Sequence, residues 1–306
     1  MMAQQKVLVY DRIGENRRNT FFLLAGFIIV VGAALVAIGY ALGVPLSFTP
    51  LLIVPAIIYA LFSYYSSTNV TLGVSQAHEV TRNEEPEYYR TVENLCIGAG
   101  LPMPKLYVIE DRAPNAFAAG RDPQHAVVCV TRGLLQKMDH LELEGVLAHE
   151  LSHIGNYDIR LETVLVVLVG LTALVADFTF RFTIWGAGGR SHNRDRNGGA
   201  AVLIIYAIAL IAAILAPIAA RLIQLALSRQ REYLADASGA LLTRYPEGLA
   251  SALEKIEKDN EPLAEANKAT AHLYIANPLN EHSSFLNSLF STHPPIEDRI
   301  KRLRAM

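Results

Sequence analysis

From Asn19 to His78 the chain carries no Asp, Glu, Lys or Arg, and apolar residues follow one another with little interruption. A helix needs about 20 apolar residues to cross a hydrocarbon core of about 30 Å. The stretch holds two such runs, Thr20–Leu42 and Ser47–Ser63, separated by the turn signal Gly43-Val44-Pro45. The first run lacks a small-residue cleavage site and is longer than the apolar core of a signal peptide, so it is expected to be retained. A third run, Thr163–Ala176, is interrupted by Asp177 and Arg181 before it resumes to Trp185; a fourth, Asn197–Ala220, is free of charge and contains Pro217. Asp177 and Arg181 are spaced to pair on one helix face. Either the third run ends early with both at the interface, or they form an intramembrane pair facing protein or water. The pattern predicts four membrane helices.

Between and after these runs the patterning becomes mixed. Lys105–Glu110 reads as a strand, and Asn115–Gly120 followed by His125–Thr131 reads as a hairpin around Arg121-Asp122-Pro123-Gln124. Asp139, with Glu142 three residues later, has the spacing of a capping box and opens a helix that ends near Gly155. Leu143, Val146, Leu147 and Ile154 give that helix an apolar face. Further helices are predicted over Pro246–Lys258 and after Pro295, where Ile296, Ile300 and Leu303 share a side. The organisation that follows is a tail and membrane hairpin over 1–65, a first polar part over 66–160, two more apolar segments over 161–224, and a second polar part over 225–306.

Composition agrees with the bilayer. Of the 306 residues 52% are hydrophobic and 18% charged, where a soluble chain carries about a quarter charged. The net charge of -2 gives no basic footprint, which argues against a nucleic-acid partner. Cys96 and Cys129 have no metal-ligand spacing and are expected as reduced core residues. Lys6, Arg12, Arg17 and Arg18 before the first run put the N-terminus in the cytoplasm by the positive-inside rule. Both polar parts then return to the cytoplasmic side, the second with Arg221, Arg229 and Arg231. Arg190, Arg194 and Arg196, in the loop between the third and fourth runs, point the other way.

The chemistry is concentrated in His149-Glu150-Leu151-Ser152-His153 on the helix opened at Asp139. Residues i and i+4 share a helix face, so both imidazoles can reach one cation, and nitrogen donors favour zinc over a hard ion. Glu150, about 100° round the helix, is placed to act as a general base without being a ligand. The candidate third ligand is Glu232, with Asp236 at i+4 as the acceptor for the second ring N–H of a zinc histidine. The competing reading of Arg229, Arg231, Glu232 and Asp236 is a solvated charged face.

The HELSH motif, Arg231–Asp236 (REYLAD), Asn115–Ala118 (NAFA) and Ser291–Pro295 (STHPP) together resemble the HtpX group of integral-membrane zinc endopeptidases, relatives of the CAAX prenyl endopeptidase. The resemblance covers nearly the whole chain. It implies a mainly α membrane protein with four transmembrane helices and an α+β, zincin-like (gluzincin) catalytic domain with a small β-sheet. It implies a multi-pass, heat-shock-linked quality-control protease of the cell membrane, with its active site facing the cytoplasm and protein or peptide substrates. One Zn2+ is expected on His149, His153 and Glu232, with Glu150 as catalytic base. Asn115, Ala116, Phe117 and Ala118 resemble an edge strand that pairs with substrate backbone. His293 resembles a donor to the oxyanion, the alternative being that Thr292 and His293 cap the last helix. Arg299 and Asp298 are expected as a structural ion pair. The remaining histidines (His78, His125, His140, His192, His272 and His282) lack ligand spacing. Prenyl-protein cleavage, a zinc-binding scaffold without activity, and a channel are the competing functions.

Overall fold

A computed structural model describes residues 49–164, 229–259, 261, 273–275 and 294–306, with isolated positions between 14 and 47. The first helix, α1 (Thr49–Val74), covers the second predicted apolar run and turns polar in its second half. Val54, Ile58, Leu61 and Phe62 on it are exposed. Among the described residues, no helix is long and apolar enough to cross a membrane. The first run apart from isolated positions, the fourth run, and the third beyond residue 164 lie outside the described residues, as do Asp177, Arg181 and Arg190–Arg196.

After α1 come β1 (His78–Glu79), α2 (Pro86–Ala99), β2 (Lys105–Ile109), β3 (Ala116–Gly120), β4 (Ala126–Thr131), α3 (Arg132–Lys137) and α4 (His140–Gly155). Beyond the masked interval follow α5 (Arg229–Thr243), α6 (Pro246–Lys258) and α7 (Ile296–Leu303). The hairpin is present as expected, tightened by a short 3-10 turn, Pro123–His125, in which Asp122 Oδ1 accepts from His125 N–H at 2.9 Å. The strand predicted over Lys105–Glu110 stops at Ile109. The two-residue β1, too short to carry a period, adds one strand to the sheet.

The sheet order is β1-β2-β4-β3. β2 runs parallel to β4 in the register Leu106↔Val128, whereas β3 is antiparallel to β4 with Ala116↔Val130 and Ala118↔Val128. β4 is buried along its whole length, which accounts for its unbroken apolar sequence. Alternate residues separate two apolar layers. Leu106, Val108, Ala116, Ala118, Val128 and Val130 face the helices, with Val146, Leu147, Leu151 and Leu253. Ile109, Phe117, Ala119, Val127 and Cys129 face the other way, against Leu72 and Tyr274. Both cysteines are buried and free.

Helix α4 lies at the centre of the helical layer, against α5, α6 and β3. Its predicted capping box is formed: Glu142 N–H donates to Asp139 Oδ1 and Asp139 N–H to Glu142 Oε2, both at 2.9 Å. Glu142 is buried and also takes Ser251 Oγ–H at 2.7 Å and the Lys255 ammonium from α6, so the cap anchors a second helix. Two glycines set how closely the helices approach. A Cβ at Gly145 would lie 2.5 Å from Leu249 N of α6, and one at Gly239 would lie 3.0 Å from His149 N of α4.

A methyl group at Gly145 has backbone to displace. Gly145→Ala is therefore expected to destabilise the fold by about 1–3 kcal/mol, read as a lower unfolding midpoint of the purified chain. Gly155→Ala is the matched control, because its Cβ would meet only Leu101 side-chain atoms at 3.8 Å; that midpoint should hold or rise.

Candidate metal centre

His149 and His153 sit one turn apart on the face of α4 that meets α5. Their rings pack edge to face with centroids 4.8 Å apart, and the two Nε2 atoms are 3.2 Å apart. Glu232, in the first turn of α5, closes the triangle: Oε2 lies 3.7 Å from His149 Nε2 and Oε1 lies 3.7 Å from His153 Nε2. All three are buried, and they form the one group of potential metal ligands among the described residues. Ligands about 2.0–2.1 Å from a tetrahedral zinc stand about 3.3 Å from each other, close to the three separations seen. The donor set, two imidazoles and one carboxylate, is also that of a catalytic zinc site with a position left open.

Each imidazole is held from behind by a carboxylate. His149 Nδ1–H donates to Asp236 Oδ1 at 3.0 Å, the contact expected from the sequence. His153 Nδ1–H donates to Asp158 Oδ2 at 3.0 Å, a partner that sequence reasoning missed. Helix α4 ends at Gly155, Asn156 caps it, and Tyr157 takes the left-handed conformation at φ 61°. That reversal swings Asp158 back onto His153, and helical periodicity gives no sign of it. With Nδ1 occupied on both rings, both Nε2 atoms are directed into the triangle.

The solvated-face reading of α5 holds for the exposed Arg229 and fails for Arg231, Glu232 and Asp236, which are all buried. Arg231 Nε lies 3.6 Å from Asp158 Oδ1. Arg299 of α7 is also buried, and it forms its ion pair with Asp236 rather than with its neighbour Asp298. This residue, too, was missed as part of the site.

These surroundings set the protonation states. Burial pushes the Glu150 carboxyl up to about 8, Glu232 and Glu162 reinforcing the rise against the attraction of His153 and Arg299. Burial likewise raises Glu162, to about 7. Burial lowers His149 to about 4, with the Arg299 and His153 charges adding to the drop against the pull of Asp236. His153 is also disfavoured as a cation by burial, yet its bond to Asp158 and the charges of Glu232 and Glu162 outweigh this and carry it up to about 10. Asp236 is held down to about 2, because Arg299 and His149 overcome its burial.

Among the described residues the predicted substrate strand is the last in the sheet order, but its outer side is not bare. Asn115, Ala116, Phe117 and Ala118 are all buried. Asn115 Oδ1 accepts from Ala116 N–H at 3.1 Å. Asn115 pairs with Thr131 across the hairpin, so the backbone groups of Ala116, Ala118 and Gly120 point outward by strand alternation. Ala116 O accepts from Ile275 N–H at 3.0 Å, and Gly120 N–H donates to Thr163 Oγ1 at 2.9 Å. Ala118, between them, pairs with no strand on that side among the described residues. His293 lies outside the described residues, as do His192, His272 and His282. His78, His125 and His140 lie by Glu110, Asp122 and Glu87, outside the metal triangle.

Comparison with known proteins adds a family. The signature of peptidase family M48 matches residues 82–306. A Protease HtpX homolog of Tropheryma whipplei (strain TW08/27) is 48% identical over 299 residues, covering 98% of this chain and 99% of that one. The homologs of Dictyoglomus turgidum and Streptococcus uberis are 47% and 44% identical, over 97% and 98% of this chain. A crystal structure of S. mikatae Ste24p superposes with a TM-score of 0.50 at 17% identity, covering 96% of this chain and 66% of that one. That likeness is one of fold.

Two outcomes follow from the geometry. Asp158→Asn is expected to weaken zinc binding on the order of 10–100-fold, measured by competition with a chromophoric chelator. Because His153 stays protonated in the metal-free protein up to about 10, zinc binding at neutral pH must expel a proton. Zinc affinity should therefore rise with pH from 6 to 9, and calorimetry in buffers of different ionisation enthalpy should record that release.

Proposed function

The chain belongs to peptidase family M48, and from that premise we propose a zinc-dependent endopeptidase anchored in the cell membrane that cleaves membrane or misfolded proteins from the cytoplasmic side. The single observation that carries the reading is the buried His149–His153–Glu232 triangle with Glu150 on the same helix. A metallopeptidase is what the family match makes of this chain. Zinc as the metal, these residues as its ligands, and the bilayer as its setting are our assignments.

Zinc bound there supplies a Lewis acid for the scissile carbonyl and lowers the pKa of the attacking water toward 7. Glu150 is the base. It is the residue after His149 on α4 and is buried beside the triangle, where a carboxylate can take a proton and give it back. It accepts the proton of the attacking water and delivers it to the departing amine. Asp236 and Asp158 keep His149 and His153 in the tautomer and orientation that leave each Nε2 as a donor.

Substrate is held by its backbone. An extended peptide that adds to the free edge of β3 finds the outward N–H and C=O of Ala118 between the two positions the chain closes for itself, at Ala116 and Gly120. Main-chain pairing of this kind selects little sequence, as suits a protease that removes many different clients. Asn115 is the nearby side-chain amide we assign to steadying a substrate carbonyl, and His293 the donor to the oxyanion. The four apolar runs and the charge bias at the N-terminus support the membrane setting and the cytoplasmic face. A scaffold would need a fourth side chain on the metal, and among the described residues three potential ligands are brought together, which favours the protease reading.

Glu150→Gln is expected to retain zinc and fold while losing at least about 1,000-fold in casein hydrolysis, the loss being in turnover. Metal analysis and a cleavage assay on the same preparation read this out. Full cleavage by a zinc-loaded Glu150→Gln chain would show that another group moves the proton.

A further inference from the structure

Arg299 is one of the largest fully buried side chains in the protein, and it comes from α7, far along the chain from both helices of the metal triangle. A guanidinium out of water is tolerated only where its donors are met. Here they are met in a fork. Nε donates to Asp236 Oδ2 at 2.9 Å and Nη2 to Asp236 Oδ1 at 2.7 Å. Nη1 donates to the carbonyl of Ile275 at 3.1 Å.

Asp236 Oδ1 is the same oxygen that accepts from His149 Nδ1–H at 3.0 Å. A carboxylate turns easily about its last torsion, so one hydrogen bond to an imidazole does not fix its plane. A bidentate guanidinium does fix it. The plane of Asp236 in turn fixes the ring of His149. Nη2 also lies 3.5 and 3.4 Å from His149 Nδ1 and Nε2, and Nη1 lies 3.6 Å from Glu232 Oε2. One side chain thus borders two corners of the triangle while standing behind them.

Building on the zinc reading above, we infer that Arg299 is a positioning residue of the metal centre: its fork locks Asp236, and through it His149, so that the C-terminal helix sets the aim of a ligand on α4. Lysine has the charge but not the fork, and cannot hold both oxygens in one plane.

The test uses the full-length chain in detergent. For Arg299→Lys, zinc affinity by chelator competition should fall on the order of 10–100-fold, and the visible absorption of the cobalt-substituted protein should shift as the ligand field distorts. Adding Asp236→Asn to Arg299→Lys should cost little more than either change alone, because both break one link. Arg304→Gln, which removes a surface partner of Glu247 and Glu254 on the same stretch of chain, should change neither reading. Should Arg299→Lys fail to fold, the paired change Arg299→Met with Asp236→Leu replaces the ion pair by apolar volume. That variant should fold and still bind zinc as weakly. Wild-type zinc affinity and an unaltered cobalt spectrum in these variants, with only a lower unfolding midpoint, would overturn the inference and leave Arg299 as a brace. A wild-type chain that takes up no zinc would instead overturn the metal reading itself.

Discussion

Negative charge kept out of water is the constraint on which this structure turns. Glu150, Asp158, Glu162, Glu232 and Asp236 are all buried around two imidazoles, and the buried guanidiniums that face them are those of Arg231 and Arg299. Carboxylates so enclosed cannot all be ionised without compensation. The protein alone answers by raising Glu150 and Glu162 and by holding a proton on His153. A dication answers better. The excess of carboxylates is thus a reason, independent of motif, for the triangle to attract a doubly charged metal and for its affinity to be linked to protons.

The rest of the fold serves to hold those charges at fixed distances. The capping box at Asp139 fixes where α4 begins, and the buried Glu142 that completes it ties α4 to α6. Gly239 lets α5 press against the backbone of His149, which brings Glu232 within reach of both Nε2 atoms. The sheet contributes its β3 edge alongside α4. The site is thereby assembled from local helix geometry and two close helix contacts, with loops confined to orienting roles.

What was legible in the sequence is what a short-range rule can express. The i, i+4 spacing of His149 and His153, the Glu232/Asp236 repeat of that spacing, the capping box and the hairpin all depend on residues close in the chain. What was not legible depends on the chain turning back. Asp158 reaches His153 only because Tyr157 adopts a left-handed conformation after the helix has ended. Arg299 reaches Asp236 across the interior, and its neighbour Asp298 offered a nearer but wrong partner. The burial of Asn115–Ala118 was missed for the same reason: residues 273–275, which cover that edge, carry no pattern that names β3 as their contact.

The order of these residues along the chain has a practical consequence. The carboxylate behind His153 stands at position 158, at the start of the helical residues 158–164 that run into the third apolar segment, whereas Glu232 opens α5 just after the fourth. No single continuous length of polypeptide that omits both apolar segments contains the whole metal triangle together with Asp158. A fragment for crystallisation or screening that leaves out the apolar segments therefore has to be spliced, with a short bridge joining the end of the first polar part to the beginning of the second.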